Sequence, residues 1–301
     1  MLISFGLPVA GTWAEPAIVG QVAARAEELG YHGLWTFQRL LVADGDRPDV
    51  VYRSVLDPMV TLGYAAALTS RIRLAVAVIN LPYLSPVYLA KQASTLDVLS
   101  RGRAELTLGT GWSEVEFAAT GSEAAPRGRR TEEYVAVLRK LFTAGVATFD
   151  GELYTVPPSR MRPLPVTPGG PPILLGGAAD SALRRAGRIA DGWVSRSAAT
   201  LDDVRRGTQV VRRAAEEAGR DPDQVRIVAR GAVRSGERDD ARPLSGSVEQ
   251  IRAGAELYAE AGVTELFYDL NWDPLIGGSD ADPDAAVARA AELLEALAPS
   301  A

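Results

Sequence analysis

Short apolar runs alternate with amphipathic patterns along the whole chain. Runs of about four to eight apolar residues bounded by Gly or Pro are typical of buried strands, and apolar positions three or four apart indicate helices. The apolar runs predict strands over Leu2–Leu7, Gly33–Phe37, Ile72–Ile79, Ala104–Leu108, Ile173–Leu175, Trp193–Arg196, Val225–Ala229 and Glu265–Leu270. The amphipathic patterns predict helices over Pro16–Leu29, Pro58–Leu68, Pro86–Leu99, a long helix containing Thr131–Phe142, Asp180–Ile189, Leu201–Ala218, Val248–Ala261 and Ala285–Leu297.

Strand-then-helix units repeated through 301 residues predict an α/β protein, a (β/α)8 TIM-type barrel in which residues 1–301 form one domain. The third strand is apolar at successive positions, as expected for a parallel strand that is covered on both faces. Asp57 before Pro58 has the pattern of a helix cap, and Gly30 has the pattern of a helix end. A doubly wound sheet is the alternative, but Gly6-Leu7-Pro8 lacks the glycine fingerprint that such sheets carry after the first strand.

Two insertions interrupt the alternation. One, Gln38–Arg53, follows the second strand, and the other runs from about Gly145 to Pro172, before the fifth strand. The second insertion includes Phe149–Tyr154, which predicts a β-hairpin with an Asp-Gly turn, and then becomes Pro-rich. Long loops in compact domains are often lids or binding loops, so this insertion is either a lid over the barrel mouth or a packing arm. Residues 236–246 predict a mobile polar loop after the seventh strand.

Composition narrows the chemistry. The net charge is −6 and the chain has no basic excess, so a nucleic-acid-binding surface is not expected. The chain has no Cys, which excludes disulfides, thiolate metal sites and cysteine nucleophiles. His32 is the only histidine and lies in a helix-to-strand turn, so neither a histidine-rich metal site nor a Ser-His-Asp triad is expected. An enzyme of this composition would rely on a cofactor for difficult chemistry.

The amino-terminal segment Met1–Phe5 is apolar, but it lacks the basic region and the length of a signal peptide. No apolar run reaches the length of a membrane span. The sequence therefore predicts a cytoplasmic protein that binds a small molecule and neither a membrane nor a nucleic acid.

The stretch Ile173–Asp180 has the pattern of a buried strand, a glycine turn and the start of a helix. Gly176 and Gly177 carry no Cβ, so backbone N–H groups there can point at a bound anion, and the helix start adds partial positive charge. Because barrel strands end at the mouth, this turn is a candidate seat for a cofactor phosphate. A plain turn that needs glycine for tightness is the alternative.

The ends of the other predicted strands place aromatic and polar residues at the same mouth. They are Ala10, Gly11, Thr12 and Trp13 after the first strand, Gln38 and Arg39 after the second, Asn80–Tyr83 after the third, Gly109–Trp112 after the fourth, Ser195 and Arg196 after the sixth, and Asp269, Asn271 and Trp272 after the eighth. Asp269 and Asp273 are the carboxylates to consider for glycoside-type acid–base work, but the aromatic content favours a flat conjugated ligand.

Two glycines and two tryptophans in this set bear on such a ligand. Gly109 and Gly111 are expected to let the backbone approach a ring closely. Trp13 and Trp112 either stack on the ring or on the substrate, or belong to the core at the barrel rim.

Motifs that span most of the chain, in order, resemble the bacterial luciferase-like superfamily of flavin- and coenzyme F420-dependent oxidoreductases. They are Glu28–Tyr31 with Leu34-Trp35, Leu89–Gln92 with Thr95–Arg103, Gly109–Trp112 with Glu116-Phe117 and Gly121, Arg127–Arg129 with Glu133, and Gly176-Gly177 with Asp191–Trp193. Each motif is weak alone, and their shared order carries the resemblance.

The resemblance implies a TIM-type barrel with a flavin or deazaflavin ring in its mouth. It also implies a peptide bond, often cis and non-prolyl, in a bulge within Val76–Ile79 that backs the ring. The cofactor-binding residues that it implies are Val76, Ala77, Val78, Asn80, Thr110, Gly111, Gly176, Gly177 and Ala178, with the phosphate on the Gly176–Ala178 amides. Similarity to actinobacterial members favours F420 over FMN. The anionic tail of F420 would then be bound by Arg160 and Arg162 or by Arg184 and Arg185, unless these are solvated surface residues.

The chain departs from the superfamily at the reacting centre. Many F420-dependent members carry an Asp-His pair where this chain has Gln38 and Arg39, and sugar-phosphate dehydrogenase members carry Glu where it has Trp112. The usual base for an alcohol substrate is therefore missing, which favours hydride delivery from reduced cofactor to an activated acceptor. Gln38, Arg39 and Trp112 are the candidate catalytic residues: Arg39 stabilises the developing anion or binds the ring edge, Gln38 orients ring or substrate, and Trp112 stacks.

Three functions stay open at this point. The first is an F420-dependent oxidoreductase that transfers hydride to or from a small organic substrate. The second is an FMN-dependent monooxygenase that uses reduced flavin and oxygen, and the third is a non-catalytic accessory barrel. The resemblance also suggests a homodimer.

Overall fold

Eight parallel strands close into a barrel in a computed structural model, which describes residues 1–45 and 50–299. The strands are β1 (Leu2–Gly6), β2 (Gly33–Thr36), β3 (Arg73–Val76), β4 (Ala104–Gly109), β5 (Ile173–Gly176), β6 (Gly192–Val194), β7 (Arg226–Ala232) and β8 (Glu265–Asp269). Each strand pairs in parallel with the next one along the chain, and β8 pairs with β1 to close the ring. The predicted (β/α)8 TIM-type barrel is confirmed. Residues 46–49 of the insertion Gln38–Arg53 lie outside the described residues.

The helices surround the barrel. They are α1 (Pro16–Glu28), α2 (Pro58–Leu68), α3 (Pro86–Leu99), α4 (Glu114–Thr120), α5 (Arg127–Thr143), α6 (Asp180–Ile189), α7 (Leu201–Glu217), α8 (Val248–Glu260) and α9 (Pro283–Ala296). The predicted bounds agree within a few residues, except that α4 was not predicted and α5 begins at Arg127. Asp57 caps α2 as expected, since its carboxylate accepts the Val60 N–H at 2.9 Å.

The third strand is shorter than its apolar run. β3 ends at Val76, the Ala77–Val78 peptide bond is cis, and pairing with β4 resumes over Ile79–Asn80. A Cβ on Gly109 would lie 2.4 Å from the Val78 side chain, and a Cβ on Gly176 would lie 3.1 Å from it. Because the strand is interrupted here, the Val78 side chain lies in space that two neighbouring strands leave open by carrying glycine.

The barrel interior has its own small apolar core. It contains Trp35, Ala75, Ala77, Leu174, Val194, Val228 and Phe267, separate from the larger core between strands and helices. Trp35 and Phe267 stack with ring centroids 4.8 Å apart and planes 7° from parallel. These two rings fill the middle of the barrel, so the space open to ligand lies above them, at the carboxyl ends of the strands.

A network of charges lies at the opposite, amino-terminal end of the interior. Glu265 accepts hydrogen bonds from Ser4 Oγ at 2.6 Å and Trp35 Nε1 at 2.9 Å, and it pairs with Arg226. Arg226 also binds Glu105 at 2.8 Å, and Glu105 binds Arg73 at 2.7 Å.

Both carboxylates of this network are almost fully buried. Burial disfavours the charged form of Arg226, but Glu105 and Glu265 outweigh this and raise its pKa. The network links β3, β4, β7 and β8, and we treat it as structural because it lies at the end of the barrel away from the mouth.

The second insertion packs outside the barrel against α3 and α5. Ser94 Oγ donates to the Pro163 carbonyl at 2.6 Å, Asp97 accepts from Thr167, and Lys91 binds the Arg162 carbonyl. No residue of 145–172 lines the mouth cavity described below. The structure thus matches the packing arm and not the lid.

The hairpin in this insertion is present, but its turn is not a tight Asp-Gly turn. Ala147–Asp150 pairs with Thr155–Ser159 in antiparallel fashion, which leaves a four-residue loop over Gly151–Tyr154. The buried Glu133 carboxylate of α5 accepts the N–H groups of three loop residues, Glu152, Leu153 and Tyr154. A distant carboxylate, rather than local Asp-Gly geometry, therefore sets the loop conformation.

The polar loop over residues 236–246, which was expected to be mobile, is tied by hydrogen bonds. Arg234–Ser235 pairs with Ser245–Gly246 across it, and Ser245 Oγ binds both the N–H and the carbonyl of Asp239. Within residues 1–45 and 50–299, no helix has the length and apolar character needed to cross a membrane.

Candidate active site

A cavity of about 230 Å³ opens at the carboxyl ends of the strands. We call it the ring chamber. Its lining residues come from the ends of six strands and the segments that follow them: Phe37, Gln38, Arg39, Tyr52, Ala77, Val78, Asn80, Gly109, Thr110, Gly111, Trp112, Glu116, Gly176, Gly177, Val194, Ser195, Arg196, Ser197 and Arg230. The wall combines flat aromatic side chains with three guanidinium groups, which suits an aromatic ligand that carries negative charge.

Arg39 is the cation on the β2 side of this chamber. Its guanidinium carbon lies 4.6 Å from the centroid of the Trp112 ring and 5.3 Å from that of Tyr52. Its Nε is 3.6 Å from the buried carboxylate of Glu116, too far for a good hydrogen bond. Nε and Nη1 are both buried, and neither has an acceptor among the residues that the structure describes. Arg39 is therefore held in place by charge and stacking while two N–H donors stay available to a ligand.

Glu116, from α4, organises the segment that carries Arg39. Its Oε1 accepts the N–H of Leu40 at 2.7 Å and that of Leu41 at 3.2 Å. Burial, and next the nearby Glu116 charge, raise the pKa of the Tyr83 phenol to about 12. Tyr83 is therefore protonated at neutral pH and can donate, but not act as a base.

Gln38 and Asn80 connect the second, third and fourth strands. Gln38 Oε1 accepts the Asn80 N–H at 2.9 Å, and Asn80 Oδ1 accepts the Gly111 N–H at 3.2 Å. Gln38 was predicted to orient the ring or the substrate. In the structure, its side-chain oxygen orients the backbone beside the cis peptide.

Arg230, near the end of β7, is the most constrained cation of the chamber. Its Nε donates to Asp269 at 2.8 Å, and its Nη1 donates to the Ala77 carbonyl at 3.2 Å. The guanidinium carbon also lies 4.6 Å from the ring centroid of Phe37. Arg230 therefore fixes the bulge after β3 from the opposite side of the barrel.

The turn after β5 leads into an exposed helix start. Gly177, Ala178, Ala179 and Asp180 are all exposed, and Ala179 at the N-cap of α6 offers no side-chain cap. Gly177 adopts a φ of +137°, a conformation that L side chains rarely adopt. Free N–H groups and the helix dipole make this end of α6 attractive to an anion.

Arginines flank the same turn. Arg206 donates to the Ala178 carbonyl at 3.0 Å and pairs with Asp180, and Arg196 lies 3.4 Å from Asp203. Gly177, Ala178, Arg196 and Arg206 line a small crevice that adjoins the ring chamber through Gly177 and Arg196.

The structure brings most of the predicted site residues together in the ring chamber: Gln38, Arg39, Ala77, Val78, Asn80, Thr110, Gly111, Trp112, Gly176 and Gly177. Ala178 lies in the adjoining crevice. Val76 is the exception, because it packs in the core between strands and helices. Trp112 is 63% exposed at the mouth, whereas Trp13 is fully buried core and does not line the chamber.

Gly109 and Gly111 line the chamber and also leave space for side chains of the protein. The space of a Cβ on Gly109 is taken by Val78, and a Cβ on Gly111 would lie 2.7 Å from the Tyr83 hydroxyl oxygen. Both glycines therefore make room for the protein's own side chains, and their close approach to a ring stays a prediction.

Other candidates are accounted for elsewhere. Asp269 is bound to Arg230 and Asn271, and Asp273 to Ser235, so the two buried carboxylates do not form an acid–base pair. The N–H of His32 donates to the Ile3 carbonyl at the amino-terminal end of the barrel, which confirms it as a turn residue.

The four arginines predicted for a cofactor tail, Arg160, Arg162, Arg184 and Arg185, line none of the mouth cavities. Arg160 binds the Gly145 carbonyl within the insertion, and Arg185 lies 3.5 Å from Glu132 on the outside of the barrel. The cations that line the ring chamber are Arg39, Arg196 and Arg230 instead.

Sequence reasoning missed Phe37, Tyr52, Ser197 and Arg230. Arg230 had a usable signal, because Val228 and Arg230 share a strand face and Val228 belongs to the interior core. The predicted seventh strand stopped at Ala229, one residue short of Arg230 and three residues short of the observed end at Ala232. Tyr52 had no such signal, since it lies in the insertion after β2.

The parallel barrel has a mouth that combines a bulge after β3, an aromatic and cationic wall and an open helix start, which agrees with the luciferase-like resemblance of the sequence. Residues 2–243 match the family described as luciferase-like monooxygenase, and the chain belongs to that family. The family contains oxidoreductases and monooxygenases, among them F420-dependent members.

Relatives and structural neighbours agree with this assignment. An uncharacterised protein of Mycobacterium tuberculosis is 36% identical over 188 residues, which is 62% of this chain and 64% of that protein. The F420-dependent glucose-6-phosphate dehydrogenase of Kineococcus radiotolerans is 30% identical over 194 residues, 62% of this chain and 54% of that protein. The chain thus matches less than two thirds of the length of these relatives.

Among solved structures, the coenzyme F420-dependent tetrahydromethanopterin reductase from Methanopyrus kandleri has a TM-score of 0.78 at 16% identity. The match covers 99% of this chain and 98% of that one. This likeness shows the shared barrel fold.

Proposed function

We propose that this protein is an F420-dependent oxidoreductase that delivers hydride from the reduced deazaflavin to a small organic acceptor. The observation that carries the proposal is Arg39, a buried guanidinium at the mouth with two unsatisfied N–H donors. An F420-dependent relative that matches 62% of the chain supports the choice of cofactor. We also propose that residues 1–301 act as one barrel domain.

The residues of the ring chamber fit such a cofactor. Val78 and the adjoining backbone would lie against one face of the ring, and Trp112 offers an aromatic surface at the opening. The exposed start of α6, at Gly177 and Ala178, would hold the phosphate, with Arg206 and Arg196 beside it. When bound, reduced F420 supplies the hydride.

The chain's own side chains then bind and orient. Arg39 places a fixed positive charge where an acceptor gains negative charge as it is reduced, and such preorganised donors stabilise that charge. Its contacts with Glu116, Trp112 and Tyr52 hold it there without using Nη1.

An FMN-dependent monooxygenase is the second candidate. The description of the matched family as luciferase-like monooxygenase favours it. The same chamber would hold the ring and phosphate of FMN, and the two candidates differ in the chemistry of the ring rather than in the protein groups around it.

We expect the purified protein to bind F420 at micromolar or lower concentration and FMN at least tenfold more weakly, measured by quenching of cofactor fluorescence. Arg206→Met is expected to weaken F420 binding about tenfold, because it removes a cation beside the phosphate seat. Arg213→Met is the matched control, since Arg213 is an exposed arginine on the same helix that pairs with Glu217 instead.

Tighter binding of FMN than of F420 would favour the monooxygenase, and oxygen-uptake assays would then test that activity. Binding of neither cofactor would contradict both and favour an accessory barrel.

We propose in addition that the protein forms a homodimer through α2. This helix, Pro58–Leu68, contains no charged residue, and Val60, Tyr64 and Leu68 recur at a spacing of four along its exposed side. Gly63 and Ala67 lie between them as small positions. A helix that presents an apolar ridge beside small residues can pack against a copy of itself about a two-fold axis.

Val60→Asp is expected to convert the dimer to a monomer, because a carboxylate would be buried without a partner at the two-fold contact. Val60 is 73% exposed in the single chain, so the change should leave the barrel folded. Size-exclusion chromatography with light scattering measures the mass. Val146→Asp, at another exposed valine, should leave the dimer intact; a wild-type mass of one chain would contradict the proposal.

A further inference from the structure

The mouth contains a second chamber beside the ring chamber. It consists of two cavities of about 250 Å³ each that share Ser197, Ala198, Ala232 and Arg242. Ser197 also lines the ring chamber, so the two chambers adjoin. Its walls come from the loop after β6, the end of β7 with the loop that follows it, and the segment after β8, and Ala199 also lines the crevice at the start of α6.

Three arginines line the second chamber, and two of them are paired. Arg230 binds Asp269, and Arg242 Nε donates to Asp239 at 3.1 Å. Arg234 differs, because among residues 1–45 and 50–299 no carboxylate lies within ion-pair distance of it. Its Nε is buried without an acceptor.

Asp273, the carboxylate that lines the same cavity as Arg234, is already hydrogen-bonded. Its Oδ2 accepts from the N–H and the hydroxyl of Ser235, and its Oδ1 accepts the Leu275 N–H at 3.0 Å. Asn271 is also fully used, since Oδ1 accepts two backbone N–H groups and Nδ2 donates to Leu7 and Asp269. The side-chain oxygens of Asp273 and Asn271 are therefore already hydrogen-bonded within the protein.

Unused donors remain on the same wall. Trp272 lines the chamber, and its Nε1 is buried without a partner, as is Arg234 Nε. Leaving buried donors unpaired is costly, so two of them in one cavity call for an acceptor. Because one of the donors is an uncompensated cation, the acceptor that fits best is an anionic oxygen.

We propose that the second chamber binds a carboxylate or phosphate group on Arg234, and that this group belongs to the hydride acceptor. The assignment to an acceptor rests on the proposed function, and the shared wall at Ser197 places a group bound there beside the ring chamber. The acidic tail of F420 carries the same chemistry and is the other source of such a group.

The first test is titration calorimetry of the full chain with inorganic phosphate and with citrate at low ionic strength. Wild-type protein is expected to bind both, and Arg234→Met is expected to bind them at least tenfold more weakly at one site. The start of α6 also attracts anions, and its contribution is expected to be the same in the isotherms of wild type and Arg234→Met. Arg184→Met is the control, because Arg184 is exposed on α6 outside the mouth and the same charge is removed. Arg234→Lys should retain most of the binding.

The second test separates the two sources. F420 and its fragment without phosphate and tail are titrated into wild type and Arg234→Met. Equal F420 affinity in both proteins supports the hydride acceptor as the source of the bound anionic group. If Arg234→Met binds F420 more weakly but the fragment equally well, the anionic group belongs to the cofactor tail, and the assignment to the acceptor is overturned.

Equal phosphate and citrate binding by wild type and Arg234→Met, or none by wild type, overturns the anion site itself. Failure of wild type to bind F420 contradicts the proposed function alone, because the calorimetry uses no cofactor.

Discussion

We expect Glu265→Gln to lower the free energy of unfolding by about 3–5 kcal/mol, the range for breaking a buried ion pair from one side. Glu265 is 1% exposed and accepts hydrogen bonds from Ser4, Trp35 and Arg226. A glutamine offers one oxygen and a donor in place of the second oxygen. One of the three donors from Ser4, Trp35 and Arg226 then faces the amide N–H group of the new side chain. Arg226 also loses one of its two carboxylate partners.

Urea denaturation followed by circular dichroism measures this loss. Glu260→Gln, at an exposed position on α8, is the control and should change the free energy of unfolding by less than about 0.5 kcal/mol. Adding Arg226→Met to Glu265→Gln should recover part of the loss, since residues of one network couple. A loss below about 1 kcal/mol for Glu265→Gln would contradict the structural role assigned to the network.

Arg39→Met should lower kcat for hydride transfer about 100- to 1000-fold, the range for removing one preorganised donor at a developing negative charge. The assay uses the first acceptor that the wild-type protein reduces with reduced F420. The kcat of Arg39→Lys should lie between that of the wild type and that of Arg39→Met. The lysine keeps the charge near Glu116 but loses the planar donors and the stacking on Trp112.

The split between kcat and cofactor affinity decides the role of Arg39. A fall in kcat with unchanged F420 affinity supports stabilisation of the acceptor, whereas a weaker F420 affinity with unchanged kcat assigns Arg39 to the ring edge. Arg184→Met, on the outside of the barrel, should alter neither. Full turnover and full affinity in Arg39→Met would remove Arg39 from the site.

The fold could be predicted from the sequence because its signals are local. Each strand is a short apolar run and each helix has its own periodicity, so the order of elements follows from windows of about ten to twenty residues. Asp57 with Pro58 and the glycines after β5 mark element ends in the same local way. The positions of Arg39 and Gly177 at the mouth then follow, since parallel barrel strands all end on one face.

The arrangement of charges inside the barrel, at the site and at the opposite end, could not be predicted in this way. Arg226 binds Glu105, which is 121 residues away, and Arg230 binds the carbonyl of Ala77, 153 residues away. Which arginine meets which carboxylate depends on strand register and on where each strand ends. One residue at the end of β7 decided whether Arg230 was placed inside the barrel.

The sequence by itself thus determined a parallel barrel, the face that carries its mouth and most of the residues that line it, because strand and turn patterns are local. Only the tertiary structure decided that Val78 fills the space beside Gly109 and Gly176, that the insertion packs against α3 and α5, and that Arg234 lines the mouth with no carboxylate partner among the described residues. Those outcomes depend on distances between residues far apart in the chain, which no local pattern encodes.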